Sequence, residues 1–344
     1  MKEINTKDAV GHVLCHDITQ IVKDKVKGVA FKKGHVVKEE DIEKLLSLGK
    51  DHLYVWEKKE GMLHENEAAM YLRDICKNDY MEQSDVKEGK IELSATIDGL
   101  LKVDVEKLRQ VNALGEMMIA TRHGNTPIKR GDKLAGTRII PLIIEEEKMK
   151  RAKELCKNEP ILSIKPYVHK KVGIVTTGNE VYYGRIKDTF GPVVMDKVKE
   201  FGAEILGQTI VNDNPDNITK AILDVIEKGA DMVLCTGGMS VDPDDKTPKA
   251  IKDTGAEIIS YGAPVLPGAM LLLSYYKKND KLIPIIGLPG CVMYSKRTIF
   301  DLILPRVMAD EKISKDDLSR LGLGGLCLNC EVCHYPNCGF GKGM

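Results

Sequence analysis

Three apolar runs, each emptying into a small loop that contains glycine, constrain the fold of this chain more than any other feature. Val172-Gly173-Ile174-Val175 leads into Thr176-Thr177-Gly178-Asn179-Glu180. Met232 to Cys235 leads into Thr236-Gly237-Gly238-Met239-Ser240, and Ile283-Pro284-Ile285-Ile286 into Gly287-Leu288-Pro289-Gly290. Short, almost wholly apolar runs of this kind are buried strands. Open α/β sheets bind ligands just beyond the carboxyl ends of their strands. The paired glycines at 237 and 238 bring bare N–H groups to a surface, where they can hold an anion such as phosphate. Any one of these loops is explained as well by a tight turn that merely needs glycine. Three within one domain's length point to a ligand site.

The residues between the runs supply helices. One is expected from Val193 to Phe201, stopping at Gly202, after a long loop carrying Gly184 to Pro192. Strand 204–211 follows, and Asn214-Pro215-Asp216 opens a second helix. In it Ile218, Ala221, Ile222, Val225 and Ile226 recur at helical spacing, and Gly229 is the stop. Strand 231–235, a helix near Thr247 to Lys252, strands 256–260, 270–276 and 282–286, and a last helix from Val292 to Met308 complete the series. Strands alternating with helices predict an α/β fold over residues 161–310, a largely parallel sheet covered by helices on both faces.

Smaller β-rich α+β segments precede it. Residues 1–60 read as a small β-rich unit, with a helical stripe at Ile42, Leu45, Leu46 and Leu48 and a strand from Leu53 to Trp56. Residues 61–160 read as a middle α+β segment: helices at Ala68–Cys76 and Val105–Leu114, strands within Lys90–Val103 and Arg138–Ile144, then a charged linker helix from Glu145 to Asn158. Residues 311–344 form a separate cysteine-rich tail.

Composition narrows the function. The formal net charge is zero and aromatics are 5% of the chain, so neither the basic footprint nor the stacking platforms of a nucleic-acid binder are present. The start Met-Lys-Glu-Ile-Asn-Thr-Lys-Asp has no apolar signal region, and no apolar run approaches a membrane span. A cytoplasmic protein is expected. Its nine cysteines then suggest thiols or metal ligands in place of a disulfide framework. Arg122, His123, Lys129 and Arg130 form a local basic cluster, read as a solvated loop ahead of an anion contact.

Acids lie on the same loops. Glu180 follows the first strand, Asp188 lies in Gly184-Arg185-Ile186-Lys187-Asp188-Thr189, and Asp245 follows the second. Carboxylates at one sheet edge can share Mg²⁺, which takes one or two of them together with phosphate oxygens and water. Asp216 reads as a helix cap or turn residue, and Asp242 and Asp244 as solvated loop acids.

At these motifs the chain resembles the molybdopterin-binding domain shared by molybdopterin molybdenumtransferases and the gephyrin E domain. The matching pieces are T-G-N-E at 177–180, G-R-I-K-D-T at 184–189, D-N-P-D at 213–216, T-G-G-M-S at 236–240 with Asp245, P-G at 267–268, and G-L-P-G at 287–290. The resemblance implies an enzyme of molybdenum cofactor biosynthesis. Such enzymes insert molybdate into adenylylated molybdopterin with Mg²⁺ and release AMP. It implies Glu180, Asp188 and Asp245 as the metal-assisting acids. Thr177, Gly178, Thr189, Gly237, Gly238 and Ser240 would contact the pterin and its phosphate end, and Pro289 and Gly290 the molybdate end. A homodimer follows from the same resemblance, with a molybdoenzyme or another cofactor-assembly protein as partner. Four positions depart from the pattern: Phe190 stands for an Asn, Leu266 and Ala269 flank the P-G where the family has lysines, and Cys291 follows Gly290. They leave open a non-catalytic carrier or regulator of the cofactor.

The tail holds Cys327, Cys330, Cys333 and Cys338 within twelve residues. This spacing is close to the bacterial ferredoxin run, so a [4Fe–4S] cluster is expected, with four-cysteine Zn²⁺ as the alternative.

Overall fold

The computed structural model describes every residue except 1, 23–25, 56–59, 158, 241, 244 and 344. Trp56, Lys59, Asn158 and Asp244 thus lie outside the described residues. The chain folds as two compact units, one of residues 1–96, 103–122 and 130–163, the other of residues 97–102, 123–129 and 164–344.

In the first unit, strand Lys2–Asn5 pairs antiparallel with His52–Val55, and Ile18–Val22 with Val26–Phe31. Helix Ile42–Ser47 buries Leu45 in a core with Leu14, Ile18 and Leu53. A four-stranded antiparallel sheet runs in the order Met81–Gln83, Lys90–Ala95, Lys133–Ile139, Met117–Thr121. Its strand Lys90–Ala95 alternates, burying Ile91, Leu93 and Ala95. The expected strand 138–144 is two strands, Lys133–Ile139 and Ile143–Glu145. Helix Glu65–Cys76 starts three residues ahead of the apolar stripe because His64 caps it, its Nδ1 accepting from the Asn66 N–H at 3.1 Å. Of the basic cluster, Arg122 pairs with Asp132 at 2.7 Å within this unit, and in the second unit Lys129 pairs with Asp98 at 2.8 Å.

The second unit is the α/β fold that the alternation predicts. Its six-stranded sheet is built of β1 (Lys171–Thr177), β2 (Glu204–Val211), β3 (Met232–Thr236), β4 (Glu257–Tyr261), β5 (Leu272–Lys278) and β6 (Lys281–Leu288). Its helices are α1 (Asn179–Tyr182), α2 (Phe190–Lys199), α3 (Pro215–Glu227), α4 (Thr247–Asp253), α5 (Ile299–Met308) and α6 (Lys315–Arg320). The sheet order is β2-β1-β3-β6-β5-β4, parallel through β6, with β5 antiparallel to both of its neighbours. One face buries Val172, Ile174, Leu234 and Ile286 with α5, and the other buries Val175, Val233 and Ile285 with α3. Among the described residues no helix is long and apolar enough to cross a membrane.

Helix α3 buries the five apolar residues of its predicted stripe. Its cap is Asn214, whose Oδ1 accepts from the N–H groups of Asp216 at 2.9 Å and Asn217 at 3.2 Å. Asp216 is therefore a first-turn acid, favoured there by the helix dipole, and not the cap. Two helix starts differ from expectation. Helix α2 begins at Phe190, ahead of Pro192, because a proline in the first turn forfeits no helical hydrogen bond. The expected helix 292–308 is a short 3₁₀ turn, Gly290–Met293, followed after a break by α5, which Thr298 caps.

Helix α3 lies so close to β1 that only glycine fits at 173. A methyl group there would enter the volume of the Val225 side chain. Gly173→Ala is expected to destabilise the protein by about 1–3 kcal/mol, the cost of overpacking a filled core. Urea unfolding measures it, and the double variant with Val225→Ala should recover part of the loss.

Candidate functional site

Register brings the three loops together. Thr176 of β1 lies opposite Thr236 of β3, and Thr236 opposite Leu288 of β6. The strands therefore end in one row, and Gly178, Gly237 and Pro289 leave the sheet side by side. The antiparallel β5 starts at this edge, with Leu272 opposite Gly287, so the Pro267-Gly268 loop reaches it too.

The Thr236 loop is held tightly. Gly237 has φ +86° and Gly238 φ +55°, both left-handed. A side chain at 237 would run into the Thr177 carbonyl oxygen, and one at 238 would stand 2.8 Å from Thr247 Oγ1. The turn thus needs glycine for conformation and for space. Below it, Thr177 Oγ1 hydrogen-bonds Thr247 Oγ1 at 3.0 Å, and Thr247 Oγ1 donates to the Gly237 carbonyl at 2.9 Å. Met239 lays its thioether over Gly287, locking this loop to β6. The Tyr261 hydroxyl, at the end of β4, donates to the Met239 carbonyl at 3.0 Å. Burial and then the charge of Asp245 raise the pKa of that hydroxyl.

A second chain of hydrogen bonds runs along the row. Thr236 Oγ1 donates to Thr176 Oγ1 at 3.0 Å, and Gln208 Nε2 donates to the same oxygen at 2.7 Å and to Asp188 Oδ2 at 2.5 Å. Asp188 Oδ1 accepts from the Phe190 N–H at 2.9 Å and the Gly191 N–H at 3.2 Å. Its carboxylate thus secures the start of α2 and joins it to the sheet.

Glu180 is exposed on α1, its carboxylate folded over Gly178 so that a Cβ there would lie 2.8 Å from Oε1. Asp245 is half-buried, and its Oδ2 accepts from the Asp242 N–H at 3.3 Å. Thr189 Oγ1 donates to Met293 Sδ at 3.2 Å, bringing the 184–189 loop to the 3₁₀ turn after Gly290. Ser240 and Gly290 are exposed and Pro289 is buried. Among the described residues no three His, Cys, Asp or Glu side chains converge on a position for one metal ion. Of the four divergent positions, Phe190 packs on the core, Cys291 is partly buried with its thiol pKa raised by that burial, Ala269 is partly buried, and Leu266 is 57% exposed.

Comparison with known proteins centres on this unit. Residues 173–309 match the model of a probable molybdopterin binding domain. Residues 3–57 match a domain of unknown function, DUF8806. A CinA-like protein of Mycobacterium tuberculosis is 34% identical over 93 residues, 27% of this chain and 22% of that protein. One from Mycobacterium avium is 33% identical over the same length. The chain thus spans about a fifth of these curated relatives. Among solved structures, the tungsten cofactor synthesizing protein MoaB from Pyrococcus furiosus aligns at 19% identity and a TM-score of 0.33, over 41% of this chain and 91% of that one. A putative molybdenum cofactor biosynthesis protein from Corynebacterium diphtheriae aligns at 16% identity and a TM-score of 0.34, over 42% and 97%.

Thr176, Gln208, Thr247 and Tyr261 were not singled out from the sequence, yet they hold the loops in place. The signal available was weak: threonines at 176 and 236 closing apolar strands, and Thr247 before a proline. Nothing local marks Gln208 or Tyr261.

Proposed function

We propose that the second unit binds molybdopterin at the carboxyl edge of its sheet, with a phosphate on the Gly237-Gly238 turn, and acts in molybdenum cofactor biosynthesis. The observation that carries this reading is the shared row of strand ends, which aligns the three glycine loops within the stretch matching the molybdopterin domain. Backbone N–H groups of the turn bind the phosphate oxygens, and the threonines beneath it resist displacement of the loop. Glu180 and Asp245 would hold Mg²⁺ accompanying the phosphate, and Asp188, whose oxygens already accept from three protein groups, positions α2. Mg²⁺ would supply charge neutralisation as AMP leaves adenylylated molybdopterin and molybdate is inserted.

A carrier that binds without turnover is the second reading, favoured by the Pro267-Gly268 loop. The Leu266 N–H donates to the Gly325 carbonyl at 2.8 Å and the Leu266 carbonyl accepts from the Cys327 N–H at 2.8 Å, so the tail lies along this loop. Calorimetric titration with molybdopterin and its adenylylated form, followed by an AMP assay with molybdate and Mg²⁺, separates the two. Binding with AMP release supports the transferase, and binding without it supports the carrier. Failure to bind either pterin overturns both readings.

A further inference from the structure

The tail is a built part of the second unit. The Gly341 N–H donates to the Gly324 carbonyl at 2.9 Å, closing the segment into a loop. Phe340 is buried, and Tyr335 packs against the same core with its hydroxyl donating to the Asp301 carbonyl at 2.9 Å. Cys327 and Cys338 pack against that core, whereas Cys330 and Cys333 are exposed. All four are free thiols lining one cavity of about 560 Å³.

We propose that this cavity is the site of a [4Fe–4S] cluster held by Cys327, Cys330, Cys333 and Cys338. The four thiols ring a common space, and their Cys-x2-Cys-x2-Cys-x4-Cys spacing is close to the bacterial ferredoxin run. A cubane suits that arrangement because each thiolate binds a different iron of one cluster. Ligation releases a proton from each thiol, leaving a strongly negative centre. Two cations line the same cavity. Lys296 Nζ donates to the Glu331 carbonyl at 2.6 Å, and the Arg297 guanidinium pairs with Asp301 at 2.8 Å. Leu326 and Leu328 add an apolar wall, the kind of shell that tunes a cluster.

The cavity adjoins the candidate pterin loops. Tyr294, which lines it, directly follows Met293, the partner of Thr189, and Cys327 is bonded to Leu266 beside the Pro267-Gly268 loop. The cluster would therefore stand next to the sheet edge, although its presence does not depend on what binds there.

Iron and acid-labile sulfide in the full chain, purified without oxygen and reconstituted with ferrous iron and sulfide, test the proposal. About four of each per chain are expected, with broad visible absorbance and an electron paramagnetic resonance signal after dithionite reduction. Cys330→Ser and Cys333→Ser together should remove most of the iron, while Cys291→Ser should keep it. Both replaced side chains are exposed, so the unfolding midpoint of the double variant should equal that of the iron-stripped parent. Stoichiometric zinc without iron, no metal after reconstitution, or unchanged iron in the double variant would overturn the assignment.

Discussion

Replacing Gly237 with alanine is expected to cost about 2–4 kcal/mol of stability and to abolish pterin binding. Two independent effects act at this position. The φ of +86° lies in a region where a side chain is strained by about 1–3 kcal/mol. The new methyl also meets the Thr177 carbonyl oxygen, part of the neighbouring strand end, which has nowhere to retreat while β1 and β3 stay paired. Relief requires the turn to swing away from Thr177, and that motion breaks the hydrogen bond from Thr247 Oγ1 to the Gly237 carbonyl. The N–H groups of the turn then no longer point together. Gly136→Ala, in the first unit, is the control, because its added carbon meets nothing and its φ is not positive. Urea unfolding and titration with molybdopterin on both variants check the expectation. Full-strength binding by Gly237→Ala would remove this turn from the site.

The parts of this architecture that were legible in the sequence are those set by residues near one another in the chain. The stripe Ile218, Ala221, Ile222, Val225, Ile226 is buried as its period predicts, because a helix maps that spacing onto one face. The three apolar runs are strands, and their loops meet, because parallel strands must all end at the same edge. Cys235 packs in β3 as expected. The losses are in tertiary partners. Asp188 reads in the sequence as a loop acid able to assist a metal, and its partners Gln208 and two α2 amides are not legible there, because Gln208 comes from a strand twenty residues away. Pro192 masked the start of α2, since a proline marks a loop and a helix's first turn equally well. The break between Met293 and Thr298 was hidden by apolar residues on both sides of it.

Asp301 carries the second large expectation: Asp301→Ala should cost about 3–5 kcal/mol, as removing one partner of a buried ion pair does. Its side chain is 4% exposed and receives Lys197 Nζ at 2.6 Å and Arg297 at 2.8 Å on one oxygen. The other oxygen accepts from the Thr298 N–H at 2.8 Å, completing a capping box in which the Phe300 N–H donates to Thr298 Oγ1. One carboxylate thus starts α5, ties α2 to it through Lys197, and anchors the arginine that lines the cysteine cavity. Alanine leaves Lys197 and Arg297 without their shared counter-charge and α5 without half of its cap. Asp301→Asn keeps the shape and one acceptor, so its loss should be smaller and should come mainly from the unpaired cations. Lys197→Met removes one cation and leaves Asp301 paired with Arg297, so it should cost less than either. The order Ala, Asn, then Lys197→Met, read from urea midpoints, distinguishes a charge-paired hub from a simple cap. A cap alone would leave the lysine variant at wild-type stability and would give Asp301→Ala a loss near 1 kcal/mol, as typical N-cap removals do.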